Sequence, residues 1–211
     1  MNKKEKIILK VLEKHANQHH FRNLKNPFLI LIKTILSQRT RDEVTEKATK
    51  KLFAKANTPQ KILKLNDKKL TELIKPVGFY RQKAKNIKKV CNEILKNNNK
   101  VPDKRESLLK LPGVGAKTSD IVLCYAFNKP NIAVDVHVEV VSKRLGLVKK
   151  NAKYEEIRKK LEQIFKGKER IINHGFVEFG KNICLTARPR CYMCELDKIC
   201  PYPDKTHKPK K

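Results

Sequence analysis

Apolar residues recur every three to four positions along most of the chain, which is the spacing of one face of an α-helix. This pattern predicts helices over residues 42–55, 67–75, 80–97, 104–110, 116–127, 154–166 and 169–180. Asn26 and Pro27 predict the start of a further helix, because asparagine caps a helix N-terminus and proline fits its first turn. The residues after Pro27 are nearly all apolar, so we expect this helix to lie buried at the centre of the fold.

The segment around residues 134–140 fits two different structures. Its valines alternate with other residues, which is typical of a β-strand. However, Asp135 can cap a helix that starts at the next residue, and residues 144–146 resemble a helix C-terminus. A lone strand would leave its backbone groups unpaired, and the sequence offers no second strong strand. We therefore predict a helix here and an all-α fold.

The length and composition of the chain fit one globular domain or two small ones, since it has 211 residues and 39% of them are hydrophobic. The longest wholly apolar run, residues 28–32, is far shorter than the roughly 20 residues of a membrane helix. The N-terminal residues lack the compact apolar stretch and small-residue cleavage site of a secretory signal. We expect a soluble, cytoplasmic protein without a membrane partner.

Basic residues greatly outnumber acidic ones: 50 Lys and Arg against 21 Asp and Glu give a formal charge of +29. Nucleic acid is the first candidate partner, because each Lys or Arg near a phosphate releases counterions. The alternative is that lysine is simply the default surface residue of this protein. Charge alone thus indicates the kind of partner and leaves the fold open.

The cysteines are unevenly placed, and four of the six fall within 17 residues near the C-terminus. In an intracellular chain such clustering favours a metal site over disulfides. A structural zinc site usually has two short Cys-x2–4-Cys knuckles, and only one is present here. A [4Fe–4S] cluster takes one cysteine per iron and also fits, so iron–sulfur is favoured and zinc stays open. The four candidate ligands are Cys184, Cys191, Cys194 and Cys200.

The remaining cysteines stand alone in the sequence. Cys91 shares one helical face with Ala84, Ile87 and Ile94. A free cysteine packs as a small hydrophobic residue, so we interpret Cys91 as part of the core.

Residues 111–115 read Leu-Pro-Gly-Val-Gly and join two predicted helices by a tight turn. The two glycines permit positive φ angles and let another backbone approach closely. Backbone N–H groups point outward where the second helix starts, at the positive end of its dipole. We interpret this hairpin as a sequence-independent grip on a DNA backbone, and an ordinary helix–helix connection is the alternative. The residues of the grip are Pro112, Gly113, Val114 and Gly115.

Lys117 lies in the first turn after this hairpin, where the helix dipole disfavours a cation. The same field favours the neutral amine, which is the nucleophilic form. A neutral amine can attack C1′ of a deoxynucleotide and release the base, and the resulting Schiff base permits strand cleavage by β-elimination. On counting alone, Lys117 is one more surface lysine.

Such chemistry also needs a carboxylate near the sugar, to stabilise positive charge there and to help deprotonate the amine. Asp135 lies in the apolar run 132–136, where a purely surface role is hard to explain. The alternative is that Asp135 only caps the following helix.

Four segments in this order resemble the endonuclease III family of DNA base-excision glycosylases, in the helix–hairpin–helix superfamily. They are residues 36–42 (LSQRTRD), residues 111–118 (LPGVGAKT), residues 133–137 (AVDVH) and the four-cysteine loop. Together they cover most of the chain, and their conjunction is specific although each segment alone is not.

The resemblance implies an architecture of two helical lobes. Residues 20–131 would form one lobe with the helix–hairpin–helix motif, residues 1–19 and 132–203 the other, and residues 204–211 a basic tail. The family carries a [4Fe–4S] cluster with this same cysteine spacing, which favours iron–sulfur strongly over zinc. We expect a monomer.

The resemblance also implies an activity, because Lys117 falls on the family's Schiff-base lysine and Asp135 on its catalytic aspartate. The expected enzyme releases damaged, oxidised pyrimidines from double-stranded DNA and cuts the strand 3′ to the abasic site. The damaged nucleotide would be flipped out of the stack, since the amine cannot reach C1′ inside a duplex. Further DNA contacts are expected from Arg39, at the gap left behind, and from His137, Arg188 and Arg190.

Some residues depart from the family pattern, and they leave the substrate range open. Val136 and Val140 replace a threonine and an arginine, and some relatives have glutamine at Arg39. One alternative is a mismatch-specific uracil or thymine DNA glycosylase, and another is a non-catalytic helix–hairpin–helix DNA-binding protein. A ferredoxin-like electron carrier is poorly supported, because such carriers are usually small and acidic.

Overall fold

The computed structural model describes residues 1–16 and 24–207. The predicted boundary at residues 19 and 20 and the end of the basic tail, residues 208–211, lie outside the described residues. The chain divides into two compact units, one made of Met1–His20 with Pro130–Lys211 and the other of Phe21–Lys129. In the described ranges every regular element is helical, so the all-α prediction is confirmed.

The Phe21–Lys129 unit, within its described residues, consists of α2 (Pro27–Ser37), α3 (Asp42–Lys55), α4 (Pro59–Lys64), α5 (Asp67–Ile74), α6 (Tyr80–Lys96), α7 (Arg105–Leu109) and α8 (Ala116–Ala126). The Asn26 side chain accepts a hydrogen bond from the backbone N–H of Phe28 over 2.9 Å, and Pro27 occupies the first turn of α2. Because α2 is buried along most of its length, it forms the centre of this unit's core, as predicted.

The other unit consists, where it is described, of α1 (Lys3–His15), α9 (Val136–Arg144), α10 (Tyr154–Ile164), α11 (Glu169–Asn182) and two short 3₁₀ turns, Cys191–Met193 and Asp197–Ile199. Helices α1 and α11 come close together at Gly175, where an added Cβ would lie 2.4 Å from the carbonyl oxygen of Leu12. Leu12, Phe176 and Phe179 are buried in the core beside this approach.

The ends of the helices predicted from periodicity agree with the structure to within two residues. The ambiguous valine segment is the helix α9, as predicted. Helix α11 continues past the predicted end at residue 180 to Asn182. Gly180 lies within the helix, and its missing side chain makes room for His137, whose Cβ lies 2.7 Å from where a Cβ of residue 180 would be.

Cys91 is fully buried on the inner face of α6, as the sequence predicts. Burial raises the pKa of its thiol to about 12, because a thiolate would lose its hydration there. Cys91 is therefore an inert core residue. No helix in the described part of the chain has the length and apolar character needed to cross a membrane.

Candidate functional site

The predicted hairpin joins α7 to α8 by a turn in which the Val114 N–H donates to the carbonyl oxygen of Leu111 over 3.1 Å. Gly113 has φ +78°, and an added Cβ there would lie 2.6 Å from the Asn86 side-chain nitrogen. Gly115 differs, because its φ is −99° and nothing lies within 4 Å of its missing Cβ. The expected left-handed backbone therefore holds at Gly113 alone, and the group that comes close there is the Asn86 side chain rather than another backbone.

Gly115 is the N-cap residue of α8 and has no side chain to cover the first turn. The start of α8 therefore presents its backbone N–H groups without a capping side chain, as an anion site requires. Lys117 lies in this first turn and is exposed, whereas Thr118 and Ser119 beside it are buried. Within the turn itself, Pro112 is half-buried, Gly113 is exposed and Val114 is buried.

A buried ion pair, which the sequence did not lead us to predict, ties α7 to α8. The Arg105 guanidinium donates to the Asp120 carboxylate, with Nε–Oδ1 at 2.9 Å and Nη2–Oδ2 at 3.3 Å. The Asp120 side chain is fully buried and that of Arg105 is 19% exposed. The two-point contact fixes the relative orientation of the two helices that carry the hairpin. The sequence feature that indicates this ion pair is Asp120 itself, an aspartate within the apolar part of α8.

The turn after α2 carries Arg39, which is exposed and has φ 49°, in the left-handed region. Its guanidinium carbon lies 5.6 Å from the centre of the Phe79 ring. Phe79, which the sequence did not single out, is 64% exposed and also left-handed, with φ 56°. A large aromatic side chain and an arginine, from the start of α6 and from the turn after α2, thus lie side by side at the surface.

Lys83 is buried beneath this turn and is only 5% exposed. Its ammonium donates hydrogen bonds to the carbonyl oxygens of Leu36 (2.8 Å) and Gln38 and to Oγ1 of Thr40 (3.1 Å). Burial lowers the pKa of Lys83 to about 8, because the charged form is deprived of water. The burial of Lys83 could have been predicted from the sequence, because Lys83 shares the apolar face of α6 with Ile87.

Gln38 connects the same turn to the hairpin. Its side-chain amide donates to the carbonyl oxygen of Gly113 over 2.8 Å and to Oγ1 of Thr118 over 3.0 Å. Since both partners belong to the hairpin segment, the turn after α2 and the hairpin form one hydrogen-bonded surface. Residues 36–42 and 111–118, which the resemblance singled out separately, are therefore in direct contact through Gln38.

Asp135 is the N-cap of α9, and its Oδ1 accepts a hydrogen bond from the Val138 N–H over 2.9 Å. Asp135 therefore caps α9, which is one of the two roles that the sequence indicated. The residues before Asp135 are buried, and the Ile132 N–H is held by Oε1 of Glu162 over 3.0 Å. Asp135 itself is half-buried on a well-anchored segment of the Pro130–Lys211 part, while Lys117 belongs to the Phe21–Lys129 unit.

His137 lies in the first turn of α9 and packs against Gly180 of α11. Its Nδ1 is buried and has no hydrogen-bond partner among the residues that the structure describes. The residue as a whole is half-buried.

The four C-terminal cysteines line one cavity, together with Arg144 and Tyr202. Burial raises the pKa of the Cys184 thiol and raises that of Cys194 to about 11. The Arg144 guanidinium lies 3.5 Å from Sγ of Cys184 and stacks on the Tyr202 ring at 4.6 Å. A cation beside clustered thiols favours their thiolate form, which is the form that binds iron or zinc. Within residues 1–16 and 24–207, no three His, Cys, Asp or Glu side chains are grouped closely enough to hold a single metal ion.

Arg188 and Arg190 are both exposed on the loop that carries these cysteines. The Arg190 side chain donates to the carbonyl oxygen of Asn182 over 3.2 Å, and its backbone N–H donates to that of Ile183. Arg190 is thereby fixed at the C-terminal end of α11.

Comparisons with known proteins agree with one another. Residues 32–167 match the family described as the HhH-GPD superfamily base excision DNA repair protein. Endonuclease III of Thermotoga maritima is 43% identical over 202 residues, which cover 94% of this chain and 92% of the relative. A solved structure of a trapped endonuclease III–DNA covalent intermediate is 38% identical, with a TM-score of 0.84 over 96% of this chain and 97% of its own.

A thermostable thymine-DNA glycosylase has a similar structure, with 30% identity and a TM-score of 0.88 over 95% of this chain and 97% of its own. The family match includes the turn after α2, the hairpin and the segment with Asp135, while the cysteine loop follows it in the chain. The chain belongs to the HhH-GPD superfamily of base excision DNA repair proteins, among the endonuclease III relatives within it.

Proposed function

We propose that this chain is a bifunctional DNA glycosylase, which removes an oxidised pyrimidine base from a duplex and then cuts the strand at the abasic site. The observation that carries the proposal is Lys117, an exposed amine in the first turn of the hairpin helix of a base excision repair protein. An amine can serve as the nucleophile of both steps, whereas a side chain without a nucleophile there would permit base release only.

In the first step the neutral amine of Lys117 attacks C1′, the bond between C1′ and the base breaks, and the base leaves. The departing base takes up the proton that the amine loses. The C1′–O4′ bond then breaks, O4′ takes up a proton from water, and a protonated Schiff base joins C1′ to the Lys117 nitrogen until water hydrolyses it after the strand is cut. The C2′ proton becomes acidic and is removed, and the C3′–O bond breaks with departure of the 3′ phosphate. The strand is thus cut on the 3′ side by β-elimination.

Asp135 is proposed to supply the carboxylate for this reaction. Its negative charge would stabilise the positive charge that develops on the sugar and would accept a proton from the amine. The hydrogen bond from the Val138 N–H orients this carboxylate from its own helix. The pairing of Asp135 with Lys117 during the reaction is part of the proposal.

The hairpin would hold the DNA backbone through the uncapped amides at the start of α8, next to Pro112, Gly113, Val114 and Gly115. A nucleotide must leave the stack for its C1′ to be reached. Arg39 and the exposed ring of Phe79 would fill the gap it leaves, because apolar side chains can unstack base steps and arginine pairs with phosphates or bases. His137, Arg188 and Arg190 would contact DNA as well, the arginines through phosphates.

The four cysteines would hold a [4Fe–4S] cluster, one thiolate on each iron. The donor set fits, since four thiols surround one cavity beside the cation of Arg144. Such a cluster would fix the fold of residues 184–200 and provide redox sensitivity, and the base-release steps above are carried by Lys117 and Asp135. A single zinc ion, which the sequence left open, fits less well, because no three His, Cys, Asp or Glu side chains in the described ranges are grouped closely enough to hold one ion.

A mismatch-specific thymine or uracil glycosylase is the second candidate, favoured by the fold similarity to the thermostable thymine-DNA glycosylase. The two candidates are distinguished by the rate of base release from duplexes that contain thymine glycol, dihydrouracil or a G·T mismatch. Only the proposed enzyme prefers the damaged pyrimidines. A non-catalytic DNA-binding protein would release no base from any of them.

Borohydride trapping tests the nucleophile directly, because it reduces a Schiff base to a stable enzyme–DNA bond. We expect the wild-type protein to form this adduct with abasic DNA and Lys117→Ala to lose it. Lys89→Ala, which removes an exposed lysine from α6, should trap like the wild type. Undiminished trapping by Lys117→Ala would show that another residue is the nucleophile.

A further inference from the structure

We propose that Lys83 is a positioning residue for DNA engagement, which acts by fixing the backbone of Arg39 from beneath the turn after α2. This inference rests on the proposed function, since it assigns Arg39 to the gap in a duplex. Lys83 itself does not reach the surface, because it is 5% exposed.

The first step of the argument is the place of the ammonium at the end of a helix. α2 ends at Ser37, and the last carbonyl groups of a helix have no partner within it. Two of the acceptors of Lys83 are the carbonyl oxygens of Leu36 and Gln38, at the negative end of the α2 dipole. Lys83 thus supplies hydrogen-bond donors to carbonyl groups at this end of α2, where the left-handed position that often holds glycine is occupied by Arg39.

The second step is that these contacts enclose Arg39 from both sides. Lys83 binds the carbonyl of Gln38 before it and the hydroxyl of Thr40 after it. Thr40 Oγ1 also accepts the N–H of Gly78 over 3.1 Å, and a Cβ at Gly78 would lie 2.7 Å from the Arg39 carbonyl oxygen. A left-handed arginine is disfavoured in isolation and persists where its surroundings determine it.

The third step links the turn to the hairpin. The carbonyl of Gln38 binds Lys83 while its side chain binds Gly113 and Thr118. Loss of the Lys83 contacts would release Arg39 and Gln38 together. The effect should then appear where a duplex must be opened and its gap filled, and a single strand has no such gap.

The test uses Lys83→Met, which keeps the length of the side chain and removes its donors and charge, and the matched exposed control Lys89→Met on the same helix. In single-turnover assays with a thymine glycol duplex we expect Lys83→Met to release base roughly tenfold or more slowly, since small misplacements of a site cost such factors. Borohydride trapping on a single-stranded abasic oligonucleotide should change by less than about threefold, and Lys89→Met should match the wild type in both assays.

A double-mutant comparison separates positioning from general loss of structure. If Lys83 acts through Arg39, then Lys83→Met should slow duplex turnover far less in an Arg39→Ala background than in the wild type. Equal factors in both backgrounds, or an equal loss of single-strand trapping, would overturn the proposal. A wild-type protein that neither releases base nor traps would instead refute the proposed function.

Thr40→Val provides a milder version of the same test should Lys83→Met fail to fold. It keeps the shape of the side chain and removes the acceptor shared by Lys83 and Gly78. We expect a smaller loss of duplex turnover in the same direction, again reduced in the Arg39→Ala background. Unchanged duplex turnover in a folded Thr40→Val protein would overturn the assignment.

Discussion

The side-chain amide of Gln38 donates a hydrogen bond to the carbonyl oxygen of Gly113, 75 residues further along the chain, over 2.8 Å. Through this contact the turn that carries Arg39 and the hairpin that precedes Lys117 form one hydrogen-bonded surface. The contact is possible because the left-handed Gly113 turns its carbonyl toward Gln38 and its missing side chain toward Asn86. The two glycines of the hairpin should therefore respond differently to substitution.

Gly113→Ala should destabilise the protein by about 1–3 kcal/mol, because an alanine at positive φ is strained and its Cβ must displace the Asn86 side chain. Gly115→Ala should change the free energy of unfolding by only about 0.5 kcal/mol, because its φ is ordinary and nothing lies near its Cβ. Urea unfolding of the two variants and the wild type checks both values.

The effect of Gly115→Ala should instead appear in DNA binding. A methyl group at position 115 would stand on the exposed surface at the start of α8, where the proposed interface brings a phosphate, so duplex affinity should fall although stability does not. A Gly115→Ala protein that binds duplex DNA like the wild type would remove the start of α8 from the proposed interface.

The helices were predictable from the sequence because their apolar periodicity is local. Cys91 lies on the buried face of α6 and Asp135 caps α9, as their immediate neighbours in the chain indicate. The contacts of Gln38 and Lys83 were not predicted, because their partners are distant in the chain and a lysine among apolar residues is usually assumed to reach water.

The roles of the glycines in α11 were not predictable from the sequence for the same reason, because their partners are distant in the chain. A glycine near the end of a helical pattern often ends the helix, and the helix predicted over residues 169–180 ends at such a glycine, although α11 continues to Asn182. Gly180 instead makes room for His137 on another helix, and Gly175 does so for the backbone of Leu12. Whether a glycine ends a helix or makes room for a neighbouring helix depends on how the two helices pack.

The buried pair of Arg105 and Asp120 is expected to stabilise the hairpin helices. Asp120→Ala should lower the free energy of unfolding by about 3 kcal/mol or more, because it leaves a largely buried guanidinium without its carboxylate. Calorimetry or urea unfolding measures the loss.

The control for this prediction is Asp103→Ala, which removes the carboxylate of an exposed pair with Lys129 in the same unit. That variant should unfold like the wild type. Replacement of both Arg105 and Asp120 by leucine should restore much of the stability lost in Asp120→Ala. If Asp120→Ala were as stable as the wild type, the pair would have no role in holding α7 to α8.

Substitution of a cysteine that lines the cavity should affect the iron content, whereas substitution of the core cysteine Cys91 should not. Cys194→Ser should lower the iron content from about four atoms per chain and weaken the visible absorption of the cluster, because each thiolate holds one iron. Cys91→Ala should keep its iron and lose only about 1 kcal/mol of stability through the small cavity it leaves in the core. Iron analysis of the purified proteins decides the point, and one zinc per wild-type chain would contradict the iron–sulfur proposal.

The depressed pKa of Lys83 gives a stability difference with a defined sign. Burial lowers this pKa from 10.5 in the unfolded chain to about 8 in the folded one, so between these pH values the unfolded state binds more protons. The stability of the wild type relative to Lys83→Met should therefore rise with pH across this window, by about 3 kcal/mol in total. Other lysines titrate alike in both proteins and cancel in the difference. Urea unfolding from pH 7 to 11 provides the measurement, and a difference that stays flat or falls with pH would mean that the buried ammonium keeps the pKa of a solvated lysine.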